Sequence, residues 1–418
     1  MYRKYFLPYL MWFFAVFFFA YQFIMRLAPG LVINDLITQY QITATSFGIF
    51  SAIYYIGYAG AQLPTAYLLE KFKTKYIIGI FCIIASIGTY ILSYTTSFST
   101  ALVGRLMIGI GSAAGFLGVS KVVATYFPEK LYARLIGFSF TIGIFGAVYG
   151  GKPVNSLIET FNYNKVFFLI AAIGTLIALT ILLFGDNRKA NYLDSKKDSN
   201  LIEELFIILK NKRIVLIAIA NLLMVGSLEG FADVWGISFL TKAFDISKGD
   251  AATVISYIFI GMLFGGPALA FISEKYFSKT LVIFLCGLLT CILFLGLIIF
   301  PNLSFYLLCA LMFINGILCC YQVLIFALGT EIVKNEYKSI AIAFLNCVNM
   351  LGGIFFHTLI GLTLDHFWQG DISNNVKLYS LYEYKIAIAI IPISSIIGGM
   401  LVIYSGLKKD SKKITQTI

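Results

Sequence analysis

Twelve apolar stretches recur along the chain and constrain its fold more than any other feature. Each is roughly 20 residues long, enough for a helix to cross about 30 Å of hydrocarbon. Hydrophobic residues make up 60% of the 418 positions and charged residues 12%, which excludes a disordered chain and argues against a soluble enzyme. A β-barrel would need alternating segments of about 10 residues. We therefore predict an all-α polytopic membrane protein with one transmembrane helix per stretch.

The predicted spans form two sets of six, which we expect to fold as two pseudo-symmetric bundles. The first set covers residues 7–29, 46–69, 76–94, 100–124, 135–151 and 166–184, and the second covers residues 214–240, 251–272, 281–300, 304–330, 339–363 and 386–407. The polar stretch 185–213 is predicted to be a cytoplasmic linker, with an amphipathic piece, 201–209, partly on the membrane surface. The predicted domains are thus an N-terminal bundle (1–184), the linker, a C-terminal bundle (214–407) and a cytoplasmic tail (408–418).

Basic residues between the spans predict the orientation. With the N-terminus inside, the predicted inner segments carry 22 Lys and Arg residues and the outer segments carry six, as the positive-inside rule requires. We expect a bacterial inner membrane protein with both termini cytoplasmic, and the net charge of +11 does not then call for nucleic acid. The seven cysteines lie in apolar runs without the spacing of a zinc site, so neither metal nor cofactor is expected.

An internal repeat relates the two halves. The stretch 66–75 after the second span resembles 270–279 after the eighth, and the same offset of 204 places Gly57 on Gly261. An offset of 205 places Gly111 on Gly316. Parallel repeats about an axis along the membrane normal are typical of one transporter architecture.

Together with this repeat, three motifs resemble the major facilitator superfamily over essentially the whole chain. They are the acid and bases of the loop after the second span (Glu70, Lys71, Lys75), Arg105-x-x-Ile108-Gly109-x-Gly111 in the fourth span, and Gly146-Ala147-x-x-Gly150-Gly151 in the fifth. The eleventh span, with Asn346, Asn349 and Asp365, is similar to a bacterial nutrient-importer subgroup. The resemblance implies alternating access by two six-helix bundles, with inner-gate loops that carry Glu70, Lys71, Lys75, Glu274, Lys275 and Lys279.

Charges inside a membrane span are costly and mark functional sites. The clear cases are Arg26 in the first span, Arg105 in the fourth, and Glu229 and Asp233 in the seventh. Glu229 and Asp233 are four residues apart and would share one face of an α-helix. Arg26 and these acids could bind a zwitterionic substrate, form an outer gate, or make a static pair. Neighbouring carboxylates resist joint ionisation, so Glu229 and Asp233, with Arg105, are also candidates for proton coupling.

Polar side chains within other spans complete the predicted substrate or gate set, which lists Tyr21, Tyr55, Tyr58, Gln62, Asn315, Gln322, Asn346 and Asn349. The expected function is secondary active or facilitative transport of a small polar solute, with no enzymatic activity. A base and acids in opposite halves favour an amino acid or short peptide, and proton symport is an alternative to facilitated uniport. The alternatives are an organic anion or a sugar, and a membrane-embedded enzyme is a distant one. We expect a monomer in the lipid bilayer.

Overall fold

The computed structural model describes residues 2–185 and 201–414, so part of the predicted linker and the end of the tail lie outside the described residues. A helix, or a run of consecutive helices, stands at each predicted span. The single helices are α1 (Tyr2–Leu31), α3 (Ala44–Lys71), α4 (Thr74–Tyr94), α7 (Glu129–Tyr149), α9 (Tyr163–Phe184), α13 (Lys248–Lys275), α14 (Lys279–Ile299) and α17 (Lys338–His366).

The other four spans are interrupted. The fourth span consists of α5 (Phe98–Ser112) and α6 (Ala114–Tyr126), and the seventh consists of α11 (Lys212–Met224), a π-helix (Gly226–Trp235) and α12 (Gly236–Phe244). The tenth consists of α15 (Phe305–Cys319) and α16 (Tyr321–Ile332), and the twelfth consists of α18 (Leu381–Ile388) and α19 (Ile390–Ile414). The connections contain α2 (Ile33–Tyr40), α8 (Lys152–Phe161), α10 (Leu201–Lys210), a 3-10 turn (Asn335–Tyr337), and the strands β1 (Ile372–Ser373) and β2 (Val376–Lys377). The amphipathic piece predicted at 201–209 is thus a helix.

Eleven helical segments of the described chain are long and apolar enough to cross a membrane. The helix α3 is not among them, although it has 28 residues and covers the second predicted span. Tyrosines, Gln62 and Pro64 dilute its apolar character. The all-α polytopic architecture is confirmed.

The chain divides into two compact units. Unit 1 comprises residues 1–195, 248–256 and 372–376, and unit 2 comprises residues 196–247, 257–371 and 377–418. In unit 1, α4 packs against α5 and α9, and α1 packs against α6 and α7. In unit 2, α19 packs against α11 and α14, and α17 packs against α11 and the π-helix. Each unit therefore has its own helical core.

Glycines allow the same close helix crossing in both units. In unit 1, a Cβ on Gly109 of α5 would lie 2.1 Å from the Tyr54 carbonyl oxygen, and a Cβ on Gly57 of α3 would lie 2.6 Å from that of Leu106. In unit 2, a Cβ on Gly316 of α15 would lie 1.9 Å from the Ile258 carbonyl oxygen of α13. Small residues let membrane helices approach this closely. The offset of 204 thus corresponds to a repeated packing motif. Gly109, and not Gly111 as the offset of 205 predicted, is the unit 1 counterpart of Gly316, because Gly111 packs against Phe81 and Ala85 of α4.

The predicted outer connections of unit 1 are joined by polar contacts. Lys248, at the start of α13, lies 3.8 Å from the Asp35 carboxylate of α2, and Lys152 of α8 lies 3.6 Å from that of Asp250. The Gln41 amide donates to the Asn374 carbonyl at the tip of the β-hairpin, at 3.4 Å. Both ion pairs are about half exposed, so each contributes at most about 1 kcal/mol.

Candidate functional site

Arg26 of α1 lies half-buried beside aromatic rings in unit 1. Its guanidinium carbon is 5.3 Å from the ring centre of Tyr55 on α3 and 5.8 Å from that of Phe23. Cation–π attraction to such rings stabilises the charged guanidinium where this group has lost part of its hydration water. A planar guanidinium held in this way can present its N–H fork to a carboxylate.

Arg105 of α5 is fixed on the backbone of α1 and is only 1% exposed. Its Nη1 donates to the Met25 carbonyl at 2.8 Å, and its Nη2 donates to the Arg26 carbonyl at 3.0 Å. In an α-helix the Met25 carbonyl would accept from the amide of residue 29, which is Pro29 and has no N–H. Arg105 therefore satisfies a carbonyl that the proline leaves without its helical donor.

The tyrosines of α3 continue this group of side chains. The Tyr54 ring lies 4.8 Å from the Arg105 guanidinium, and its hydroxyl donates to Gln22 Oε1 at 3.0 Å. Tyr58 stacks on Tyr54 with ring centres 5.9 Å apart. We call Arg26, Arg105, Tyr54, Tyr55 and Tyr58 the arginine cluster.

The two other predicted residues of unit 1 are Gln62 and Tyr21. Gln62 is half-buried on α3 beyond Tyr58. Tyr21 is buried. The hydroxyls of Tyr21 and Ser86 lie against Gly174 of α9, and a Cβ on Gly174 would lie within 2.4 Å of both hydroxyl oxygens. Tyr21 therefore packs between α1, α4 and α9.

Glu229 and Asp233 are both buried in unit 2, but not on an α-helix. They belong to the π-helix, in which the hydrogen bonds join residues five apart, as when the Gly236 amide donates to the Phe231 carbonyl. The predicted α-helix is therefore a π-helix here. Residues four apart lie close to one full turn in either kind of helix, so the common face of the two acids stays a prediction. Every residue of this π-helix is buried. π-Helical turns are rare in proteins, and those that do form are frequently found at functional sites.

Phe356 of α17 packs against the glycines of the π-helix. A Cβ on Gly226 would lie 2.5 Å from the Phe356 ring, and one on Gly230 would lie 2.9 Å from the Phe356 Cβ. The two glycines therefore leave the room that this ring occupies. The contact holds the segment that carries both acids against α17.

Further amides lie inside unit 2. Asn315 of α15 is fully buried and Asn349 of α17 is 1% exposed, and the amide atoms of both have no hydrogen-bond partner among the described residues. Asn346 and Gln322 are half-buried. Asn221 donates to the Leu345 carbonyl at 3.4 Å and accepts on its own carbonyl from the Tyr321 hydroxyl at 3.1 Å. The interior of unit 2 therefore has the donors and acceptors needed to bind water or a polar solute.

The predicted inner-gate residues differ in their surroundings. Glu70, Lys71, Glu274 and Lys275 are exposed, and Lys71 lies 4.4 Å from the ring centre of Tyr67. Lys75 is buried, with its Cβ against Gly185. Lys279 forms an ion pair with Glu331 of its own unit.

Sequence analysis overlooked two groups that the structure brings together. Asp365 accepts from Lys377 at 3.0 Å and from the Tyr379 hydroxyl at 2.7 Å. Glu383, buried at the start of α18, accepts from the Gln369 amide and from the Ser380 hydroxyl. An acid at the end of a span, followed by a Tyr and a Lys in a short loop, could have signalled the first group.

No group of three or more His, Cys, Asp or Glu side chains within residues 2–185 and 201–414 is placed to hold a metal ion. The polar side chains described above are arginine, carboxylate, amide and hydroxyl groups. Such groups recognise polar organic solutes by charge and hydrogen bonding.

The family model described as Major Facilitator Superfamily matches residues 12–356 and 217–417. The chain is 23% identical to the uncharacterized transporter YybO of Bacillus subtilis, covering 81% of this chain and 83% of that protein. It is 23% identical to the hexuronate transporter of Bacillus subtilis, covering 57% of this chain and 58% of the relative. It is 29% identical to the probable galactarate/D-glucarate transporter GudP of the same species, over 32% and 30% of the two chains.

Solved structures show the same fold. The nucleoside transporter NupG superposes with a TM-score of 0.78 at 14% identity, over 94% of this chain and 99% of that one. A bacterial homologue of the human lysosomal transporter Spinster superposes with a TM-score of 0.71 at 16% identity, over 95% of both chains. At these identities the likeness concerns the fold alone.

Proposed function

Because this chain belongs to the Major Facilitator Superfamily of transporters, we propose that it carries a small organic anion with at least one carboxylate group. The observation that carries the proposal is Arg26, a half-buried cation set against two aromatic rings. Relatives named for hexuronate and for galactarate/D-glucarate, which are carboxylates, support it. They favour the organic-anion alternative of the sequence analysis and give no support to an amino acid or peptide.

Arg26 is the residue that contacts the substrate carboxylate in this proposal. An arginine fork binds a carboxylate through two parallel, charge-assisted hydrogen bonds. Arg105 is less suited to this role, because its two terminal nitrogens already donate to backbone carbonyls. In this proposal, neighbouring groups on α3 bind the hydroxyls of a sugar-acid-like solute. These groups are Tyr55, Tyr58 and the amide of Gln62.

Glu229 and Asp233 couple transport to protons in this proposal. Both acids lie in a π-helix in which every residue is buried, and acids within membrane spans mark proton pathways in transporters. In this proposal one of them takes up a proton on one side of the membrane and releases it on the other. The bundles, proposed over residues 1–184 and 214–407, then expose the site alternately to each side. The protein would work as a monomer in a bacterial inner membrane, with both termini cytoplasmic.

Substrate recognition is tested by counterflow in proteoliposomes with radiolabelled glucuronate, glucarate and, for comparison, a neutral amino acid. Arg26→Gln should raise the KM for the anion about 10- to 150-fold, since a hydrogen bond to a charged group contributes about 1.5–3 kcal/mol. Lys165→Gln, which removes an exposed cation of α9, is the matched control. An unchanged KM with a lower maximal rate would assign Arg26 to a gate and refute its binding role.

Proton coupling is tested separately by imposing a pH gradient, acidic outside. Glu229→Gln should abolish accumulation of the anion while counterflow persists, because exchange needs no net proton movement. Glu129→Gln, which changes an exposed acid at the start of α7, should behave as the unmodified protein. If the gradient drives no uptake by the unmodified protein, the carrier is facilitative and the coupling proposal fails.

A further inference from the structure

A cavity of about 510 Å³ opens at the end of unit 2 where α11 and α14 begin. Its wall includes Arg213 of α11, Ser273 near the end of α13, Ser278, Lys279 and Thr280 at the start of α14, and Glu331 near the end of α16. The distribution of basic residues predicts this end of the bundle to be cytoplasmic. None of these residues except Lys279 entered the predicted functional set, and none belongs to the proposed substrate site.

The wall of this cavity carries more cations and hydrogen-bond donors than acceptors. Arg213 and Lys279 are positive, whereas Glu331 is the single acid of the wall. Lys279 donates to Glu331, and their side chains are 31% and 50% exposed, so both remain within reach of a solute. The wall therefore has a net charge of one positive unit, together with the hydroxyls of two serines and a threonine.

The first turn of α14 adds backbone donors to the same wall. Ser278 caps this 21-residue helix by accepting from the Leu281 amide at 3.3 Å. The preceding amides of the first turn have no helical partner, and the N-terminal end of a helix favours an anion. Here the helix end coincides with a cavity and two cationic side chains, one of them an arginine, whose fork matches phosphate oxygens.

The remaining wall is apolar and consists of Leu328, Ile332, Ile403 and Gly406. A cavity at the predicted cytoplasmic end with both basic and apolar wall residues suits a phosphate group attached to a lipid, and basic pockets between transmembrane helices on the cytoplasmic side bind anionic headgroups. We propose that this cavity binds a phosphate group, either of an anionic phospholipid or free in the cytoplasm. Bound phosphate would share Lys279 with Glu331 and would thereby act on the loop between α13 and α14.

The lipid source is tested with the full-length protein purified in micelles, by native mass spectrometry with added phosphatidylglycerol or phosphatidylethanolamine. The Arg213→Gln/Lys279→Gln double variant should bind phosphatidylglycerol about 30-fold more weakly, because each basic residue near the surface contributes about a factor of five. Lys334→Gln/Lys338→Gln removes two exposed cations of the neighbouring loop, outside the cavity, and should change binding by less than about threefold.

The free-phosphate source is tested by thermal unfolding of the same proteins in inorganic phosphate, with chloride at matched ionic strength. If phosphate stabilises the unmodified protein but not the double variant, and the unmodified protein does not prefer phosphatidylglycerol, the site binds a soluble phosphate. The reverse pattern assigns the site to lipid. Equal losses in the two double variants, or no preference for either ligand, would overturn the proposal. Should the glutamine variants fold poorly, Arg213→Lys/Lys279→Arg keeps both charges and must retain binding.

Discussion

Pro29 and Arg105 are expected to be energetically coupled, although they lie on different helices. Pro29 leaves the Met25 carbonyl without its helical donor, and Arg105 donates to that carbonyl at 2.8 Å. Pro29→Ala restores an N–H that can take the place of the guanidinium. The cost of replacing Arg105 should therefore depend on which residue occupies position 29.

The magnitude follows from what each single replacement leaves behind. Arg105→Met removes charge-assisted hydrogen bonds and leaves the carbonyl of Met25, a residue only 3% exposed, without a donor. An orphaned buried acceptor costs about 1–3 kcal/mol, while removal of a buried charge returns part of its desolvation cost. In the Pro29→Ala background the carbonyl keeps a donor. Arg105→Met should therefore cost about 1–3 kcal/mol less there than in the native background.

The assay is a double-mutant cycle on unfolding free energies, measured by denaturant titration of the purified protein in micelles. Pro64→Ala replaces the proline inside α3 and is the control, since it restores an amide that Arg105 does not replace. Arg105→Met should be additive with Pro64→Ala and non-additive with Pro29→Ala. Additivity within about 0.5 kcal/mol in both cycles would refute the assignment of Arg105 as the donor that replaces the missing amide.

Replacements at three further places test helix packing and the loop before α18. Gly57→Ala should destabilise by about 1–3 kcal/mol through overpacking, whereas Gly60→Ala on the same helix has open space around it and should be neutral or slightly stabilising; equal effects in thermal unfolding would contradict the crossing. Gly226→Ala should cost a similar amount, and Phe356→Leu should recover part of it in the double variant. Asp365→Asn weakens two hydrogen bonds and should speed proteolysis within residues 367–380; an unchanged cleavage rate would show that the loop does not depend on this acid.

The positions of the helices could be predicted because hydropathy acts locally. A helix in lipid must satisfy its own backbone, so an apolar run of sufficient length is enough to locate it. The predicted span 281–300 accordingly coincides with α14 (Lys279–Ile299) within two residues. The repeat was visible for a related reason, since a crossing that tolerates no Cβ requires glycine at Gly57 and again at Gly261.

The partners of the charged residues could not be read in the same way. Arg105 and Pro29 are 76 positions apart in the sequence, and their relation depends on α5 crossing α1 at the level of Met25. The sequence shows that the proline withholds an amide, but not which donor takes its place. The sequence alone therefore does not distinguish a proton-coupling Arg105 from a structural one, because the distinction depends on the carbonyls of α1.

The π-helix shows why the site residues are harder to predict than the fold. Hydropathy averaged over the seventh span is the same whether its hydrogen bonds join residues four or five apart, yet the directions of Glu229 and Asp233 differ between the two. In the structure a tertiary contact accompanies the π-helix, namely the ring of Phe356 against Gly226 and Gly230. A π-helical segment is less favourable than an α-helical one in isolation, so it persists only where packing supports it.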